Sequence, residues 1–158
     1  MNKSQIIGAR LEESVRLVCE LYRKRGFAVI DKTPEPIKQL GKMDKKGHFK
    51  ACRDKKAQPD FKGVHMGMPI CFDAKATESE RFSLSNILPW QIEYLNDFRK
   101  SGGAAFVLLK IKSEVFILDI KRISNLTALG IKSVRAEDFT DDERVDTSKG
   151  YVDFLEVL

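Results

Sequence analysis

The sequence predicts an α/β domain built on a mixed central β-sheet flanked by helices. Three observations carry this. An amphipathic stretch of helical period opens the chain, and strand-length apolar runs at 27–30, 104–111 and 115–120 follow it, with a second helical pattern between them. The third is a lysine-rich segment, 32–62, which fits neither element type. With 158 residues, 42% of them hydrophobic, the chain has material for one core and reads as a single domain, 1–158.

In residues 4–25, apolar side chains recur at Ile7, Leu11, Val15, Val18, Leu21 and Tyr22, the spacing of one helix face, with charges opposite. Ser4 suits the N-cap and Gly26 the stop. Glu12 and Glu13 lie within this helix and, read locally, are solvated. Residues 27–30 suit a short strand.

Across 32–62 ten lysines and arginines face four acids, a local excess of six that outweighs the chain's net charge of +5. The segment holds Pro34, Pro36, Gly41 and Gly47 and few aliphatics, so it is expected as a long exposed loop rather than a core element. Lys38, Lys42, Lys45, Lys46, Lys50, Arg53, Lys55 and Lys56 make it a candidate phosphate-contacting arm, 33–58, with Phe49 placed to stack on or wedge against bases.

The arm runs into Pro59-Asp60, and Phe72-Asp73-Ala74-Lys75 lies a strand's length further on. Alternation along a strand puts Asp73 and Lys75 on one face. A hairpin turning at Gly67-Met68-Pro69 returns Asp60 to the side of Asp73. Two hard oxygen ligands and an ammonium then share one place. That set holds Mg²⁺, which keeps several waters, and leaves the lysine to orient or deprotonate water or to stabilise phosphate charge.

Residues 76–86 read as a polar loop. Pro89 opens a helix that turns Ile92, Leu95 and Phe98 inward and closes at Ser101-Gly102-Gly103, with Gln91 in its first turn read locally as an exposed helix former. The runs 104–111 and 115–120 are a central strand and its hairpin partner, 121–129 a short helix, 136–146 an acidic loop and 151–158 a last strand.

Cys19, Cys52 and Cys71 are an odd number at unrelated spacings and read as free, buried thiols. The spacings His48-x3-Cys52 and His65-x5-Cys71 do not match paired zinc ligands. There is no phosphate-cradling G-x-x-x-x-G-K-[ST] and no serine-triad signature. The N-terminus lacks the hydrophobic centre of a signal peptide and no apolar run spans a bilayer, so a cytoplasmic protein without a membrane partner is expected.

Pro59-Asp60 with Asp73-x-Lys75 resembles the PD-(D/E)xK nuclease motif. Within that group the chain resembles the RecU-type Holliday junction resolvases. The likeness includes Gly8-x3-Glu12, Pro34-x-Pro36-Ile37, Asp60-Phe61-x-Gly63-Val64, Phe72-Asp73-Ala74-Lys75, Phe82-x-Leu84-x-Asn86 and Gln91-Ile92-Glu93. It implies a restriction-endonuclease-like core with a protruding basic stalk loop, and a homodimer that resolves four-way DNA junctions using Mg²⁺, with Mn²⁺ able to substitute. It assigns metal binding to Asp60 and Asp73, catalysis to Lys75, and supporting catalytic roles to Glu12 and Gln91. The sequence departs from the family pattern at Asp73, where these resolvases usually carry Glu, and at Cys71, where an acid is expected. Two other readings stand beside this one: a nuclease for other branched or duplex DNA, and a junction-binding protein without chemistry.

Overall fold

A computed structural model describes residues 3–53 and 58–158, with the side chains of Lys3, Ser4 and Arg53 excepted. The capping role expected of Ser4 and the DNA contacts expected of Lys55 and Lys56 therefore lie outside the described residues, as does the side chain of Arg53.

Helix α1 (Lys3–Lys24) buries Leu11, Val15, Val18, Cys19 and Tyr22. It ends at Gly26, whose φ of 72° is the left-handed conformation that lets Phe27 N–H reach back to the Tyr22 carbonyl at 2.9 Å. Strand β1 (Ala28–Lys32) follows. The basic segment then forms a separate two-stranded antiparallel ribbon, β2 (Ile37–Leu40) against β3 (Lys50–Arg53), rather than the expected loop. Every residue of β2 is exposed. Ile37 and Gln39 alternate with Lys38 and Leu40, a pattern that buries nothing, so composition alone did not mark it as strand.

The main sheet has the order β1-β4-β5-β7-β8-β10, from β4 (Phe61–His65), β5 (Met68–Thr77), β7 (Ala104–Ile111), β8 (Glu114–Asp119) and β10 (Arg144–Val145). Among these strands only β5 and β7 run parallel; the chain crosses between them through α2 (Pro89–Lys100), and the other neighbours are antiparallel. The β4–β5 turn sits at Met66 and Gly67, with φ of 46° and 86°, one step earlier than expected; Met68 and Pro69 are already in β5. Pro69 is tolerated because pairing with β7 begins only at Ile70.

Alternation divides the core in two. Phe61, Ile70, Phe72, Ala74, Phe106 and Leu108 face α1. Cys71, Val107, Leu109 and Leu118 face α2 and α3 (Ile120–Ala128) with Leu95 and Ile123. On the first side Phe61, Phe72 and Phe106 stack across three strands at centroid distances of 5.0 and 4.8 Å.

Three further secondary-structure expectations fail. The stretch 76–86 is not simply a loop: β6 (Arg81–Ser83) pairs with β9 (Ser133–Arg135), because Phe82 has an apolar slot beside Val134. The acidic stretch contributes β10 to the sheet edge. The segment 151–158 is not a strand. Val152 to Leu155 are buried in succession, which no alternating strand allows, and Phe154–Val157 is a 3₁₀ turn that sets Phe154 5.1 Å from Phe72. Tyr22 holds this turn by donating to the buried Asp153 carboxylate at 2.7 Å. Cys52 is an exposed thiol, whereas Cys19 and Cys71 are buried.

Candidate active site

Asp60, the residue before β4, meets Asp73 in the middle of β5. The ladder begins at Phe61 opposite Phe72, so Asp60 stands opposite Asp73 one step beyond it. Asp60 N–H donates to Asp73 Oδ1 at 3.1 Å, and Ala74 N–H donates to Asp60 Oδ2 at 2.9 Å. Asp73 is fully buried, and its Oδ2 has no hydrogen-bond partner. Lys75, two residues along β5, lies on the same face and is partly buried.

Two carboxylates this close resist ionising together. Burial pushes the Asp73 carboxyl up to about 7, the Asp60 charge adds to the rise, and Lys75 opposes it. Burial also raises Asp60; Ala74 N–H counters this, Glu12 adds to it, and Lys75 and Lys32 pull it down. A buried acid pair with one orphaned oxygen fits a divalent cation. Among the described residues no three His, Cys, Asp or Glu side chains gather as a metal-holding group. Two carboxylates suit an ion that keeps most of its water, as Mg²⁺ does.

The other expected residues approach from the helices. Glu12, on α1, ion-pairs with Lys32 at 2.5 Å and acts electrostatically on Asp60, so it is not the free solvated side chain that its sequence position suggests. Gln91 is 5% exposed rather than an exposed helix former. Its side-chain oxygen accepts from Leu88 N–H at 2.9 Å, which closes the first turn of α2. Lys38, Lys42, Lys45, Lys46 and Lys50 lie on or between the ribbon strands and are exposed, with Phe49 beside them at 43% exposure.

Sequence reasoning missed two neighbours. Lys62, two residues from Asp60, is held by Gln58 and by the Tyr94 hydroxyl at 3.1 Å, with its ammonium 5.3 Å from the Tyr94 ring centre. Thr33 N–H donates to the Asp60 carbonyl at 2.8 Å. Lys62 was visible only as one more lysine of a basic run, and Thr33 carried no signal.

Fold and site together define an α/β domain whose mixed central sheet carries a buried pair of carboxylates beside a lysine. The chain belongs to the RecU family, described as "Recombination protein U", whose profile matches residues 7–158. Among curated relatives, Holliday junction resolvase RecU of Geobacillus sp. (strain WCH70) is 33% identical over 128 residues, 73% of this chain and 61% of that protein. The protein of the same name from Bacillus thuringiensis (strain Al Hakam) is 30% identical over 170 residues, 96% of this chain and 82% of that protein. The chain thus spans about three-fifths of the length of the first of these relatives. A solved structure of Hjc, a Holliday junction resolvase from Archaeoglobus fulgidus, shares 16% identity over 72% of this chain and 78% of that one, with a TM-score of 0.46, a likeness too distant to add to the assignment. No helix among the described residues is long and apolar enough to cross a membrane.

Proposed function

We propose that this chain is a metal-dependent endodeoxyribonuclease that resolves four-way DNA junctions, working as a cytoplasmic homodimer that cuts two opposed strands symmetrically. The observation that carries this is the contact of Asp60 with the fully buried Asp73, whose second oxygen is unpartnered, beside Lys75. The relatives' name, Holliday junction resolvase RecU, supports the choice of substrate.

Asp60 and Asp73 would hold Mg²⁺, or Mn²⁺ in its place. When bound, the ion supplies Lewis-acid stabilisation of the charge that develops on the scissile phosphate. Lys75 orients the attacking water and adds positive charge at the phosphate. Glu12 sets the potential at Asp60, and Gln91 fixes the start of the helix over this face of the sheet. The ribbon within 33–58 is the stalk. Its lysines grip phosphates and read junction shape rather than base edges, and Phe49 meets the opened bases.

The test compares a labelled mobile four-way junction with linear duplex, flap and fork DNA, each with Mg²⁺, with Mn²⁺ and with chelator. Symmetric nicks in the junction that need metal are expected. Preferred cutting of another DNA replaces the substrate assignment, and a gel shift without product under both metals overturns the enzyme.

A further inference from the structure

Among the described residues, the buried side-chain oxygens and nitrogens without a hydrogen-bond partner are Thr33 Oγ1 and Asp73 Oδ2. They flank the same residue. The β1–β4 register ends at Lys32 opposite Phe61, so Thr33 stands opposite Asp60, and Thr33 N–H donates to the Asp60 carbonyl at 2.8 Å. In a regular ladder Asp60 N–H would return that bond; here it turns to Asp73 Oδ1 instead, at 3.1 Å. Residues directly opposite in an antiparallel pair project from the same face, roughly 5 Å apart. Thr33, Asp60 and Asp73 therefore form one row across three strands, with an unsatisfied oxygen at each end.

Gly63 keeps the row tight. A Cβ there would lie 2.0 Å from the Val29 carbonyl oxygen and 2.5 Å from Ile30 Cα, so β1 can close on β4 only because the side chain is absent. Lys32 points the other way, to Glu12 on α1. Thr33 is thus the first residue of the basic excursion turned to the acid face.

A buried hydroxyl with no partner costs stability, and the cost is met when a partner arrives. Thr supplies one donor and two acceptor sites. A two-carboxylate Mg²⁺ site keeps several waters, and those waters need fixed acceptors. Resting on the active-site reading above, we propose that Thr33 is a positioning residue of the metal site: its hydroxyl accepts a hydrogen bond from a water of the ion held by Asp60 and Asp73. The aspartates carry the charge, and Thr33 fixes the direction of the water shell.

The test needs no DNA. Mn²⁺ and Mg²⁺ are titrated by calorimetry into the parent protein, Thr33→Val, Thr33→Ser and Asp73→Asn, and each protein is melted with and without metal. Thr33→Val is expected to bind metal about 10-fold or more weakly and to lose most of the metal-induced rise in melting temperature, while its metal-free melting stays level or rises. Thr33→Ser is expected to match the parent. A structural threonine would instead lower metal-free melting and leave metal affinity unmoved, and that result overturns the proposal. If Asp73→Asn loses metal binding while Thr33→Val keeps it, the Thr33 role alone falls. If the parent binds no metal, or Asp73→Asn binds as the parent does, the two-aspartate site falls and takes Thr33 with it.

Discussion

Asp60 gives its backbone N–H to the side chain of Asp73 at 3.1 Å, so each acid is held by the chain segment that carries the other. The pair is built into the β4–β5 hairpin and does not await a ligand to be assembled. Its cost appears in the metal-free protein. The Asp73 carboxyl sits near 7 in the folded chain against an ordinary value of 3.8, because burial and the Asp60 charge disfavour its ionised form. A raised folded value contributes stability that is full below the unfolded value and gone above the folded one, so metal-free protein loses stability as pH rises from about 4 to about 7, by on the order of 4 kcal/mol at most. Asp73→Asn removes the Asp73 share of that dependence, and the smaller part due to the buried Asp60 remains. The variant's melting temperature is expected to exceed that of the parent at pH 8 in chelator, with cleavage abolished and junction binding retained. Retained cleavage would remove Asp73 from the site.

The stalk prediction is electrostatic. Changing Lys42, Lys45 and Lys46 to Gln is expected to weaken junction binding and to lower the slope of log affinity against log salt by about one for each phosphate that the ribbon no longer neutralises. Metal affinity and melting temperature are expected to hold, since these side chains are exposed. A salt slope equal to the parent's shows that the ribbon does not touch DNA.

Gly63→Ala forces a methyl into the Val29 carbonyl, a backbone group that cannot rotate away. Urea denaturation is expected to show a loss of about 3 kcal/mol. The fraction that folds is expected to bind metal poorly, because β1 is displaced from Asp60.

Tyr22→Phe leaves Asp153, 6% exposed, without the phenol that donates to it at 2.7 Å. Lys149 still reaches the other oxygen at 3.2 Å, so a loss of about 1–3 kcal/mol is expected in urea, with metal affinity unchanged. A coupled loss of metal binding would show that the C-terminal turn bears on the site.

The sheet strands and the acid pair were legible because their signals are local: apolar runs of strand length, a turn glycine, and Asp-x-Lys on one face. What stayed hidden depends on register and on shape. Thr33 is an ordinary residue between a lysine and a proline until pairing places it across from Asp60. Phe82 is one apolar residue in a polar stretch, and only its partner Val134 makes that stretch a strand. The ribbon buries nothing in β2, so periodicity had nothing to report. Gln91 and Glu12 looked solvated in their own helices because the burial of the one and the ion pair of the other come from elements distant in the chain.

The Phe61–Phe72–Phe106 stack has a consequence for how reliably the site forms. Each acid neighbours one ring in sequence, Asp60 beside Phe61 and Asp73 beside Phe72, and alternation sends acid and ring to opposite faces. A slip of one residue in β5 would drive the Asp73 carboxylate among Phe61, Phe106 and Phe154 and expel a phenyl ring. Folding therefore proofreads the active site: the misaligned sheet is also the one that cannot be stable, and a molecule that has closed its aromatic core has already aligned its acids.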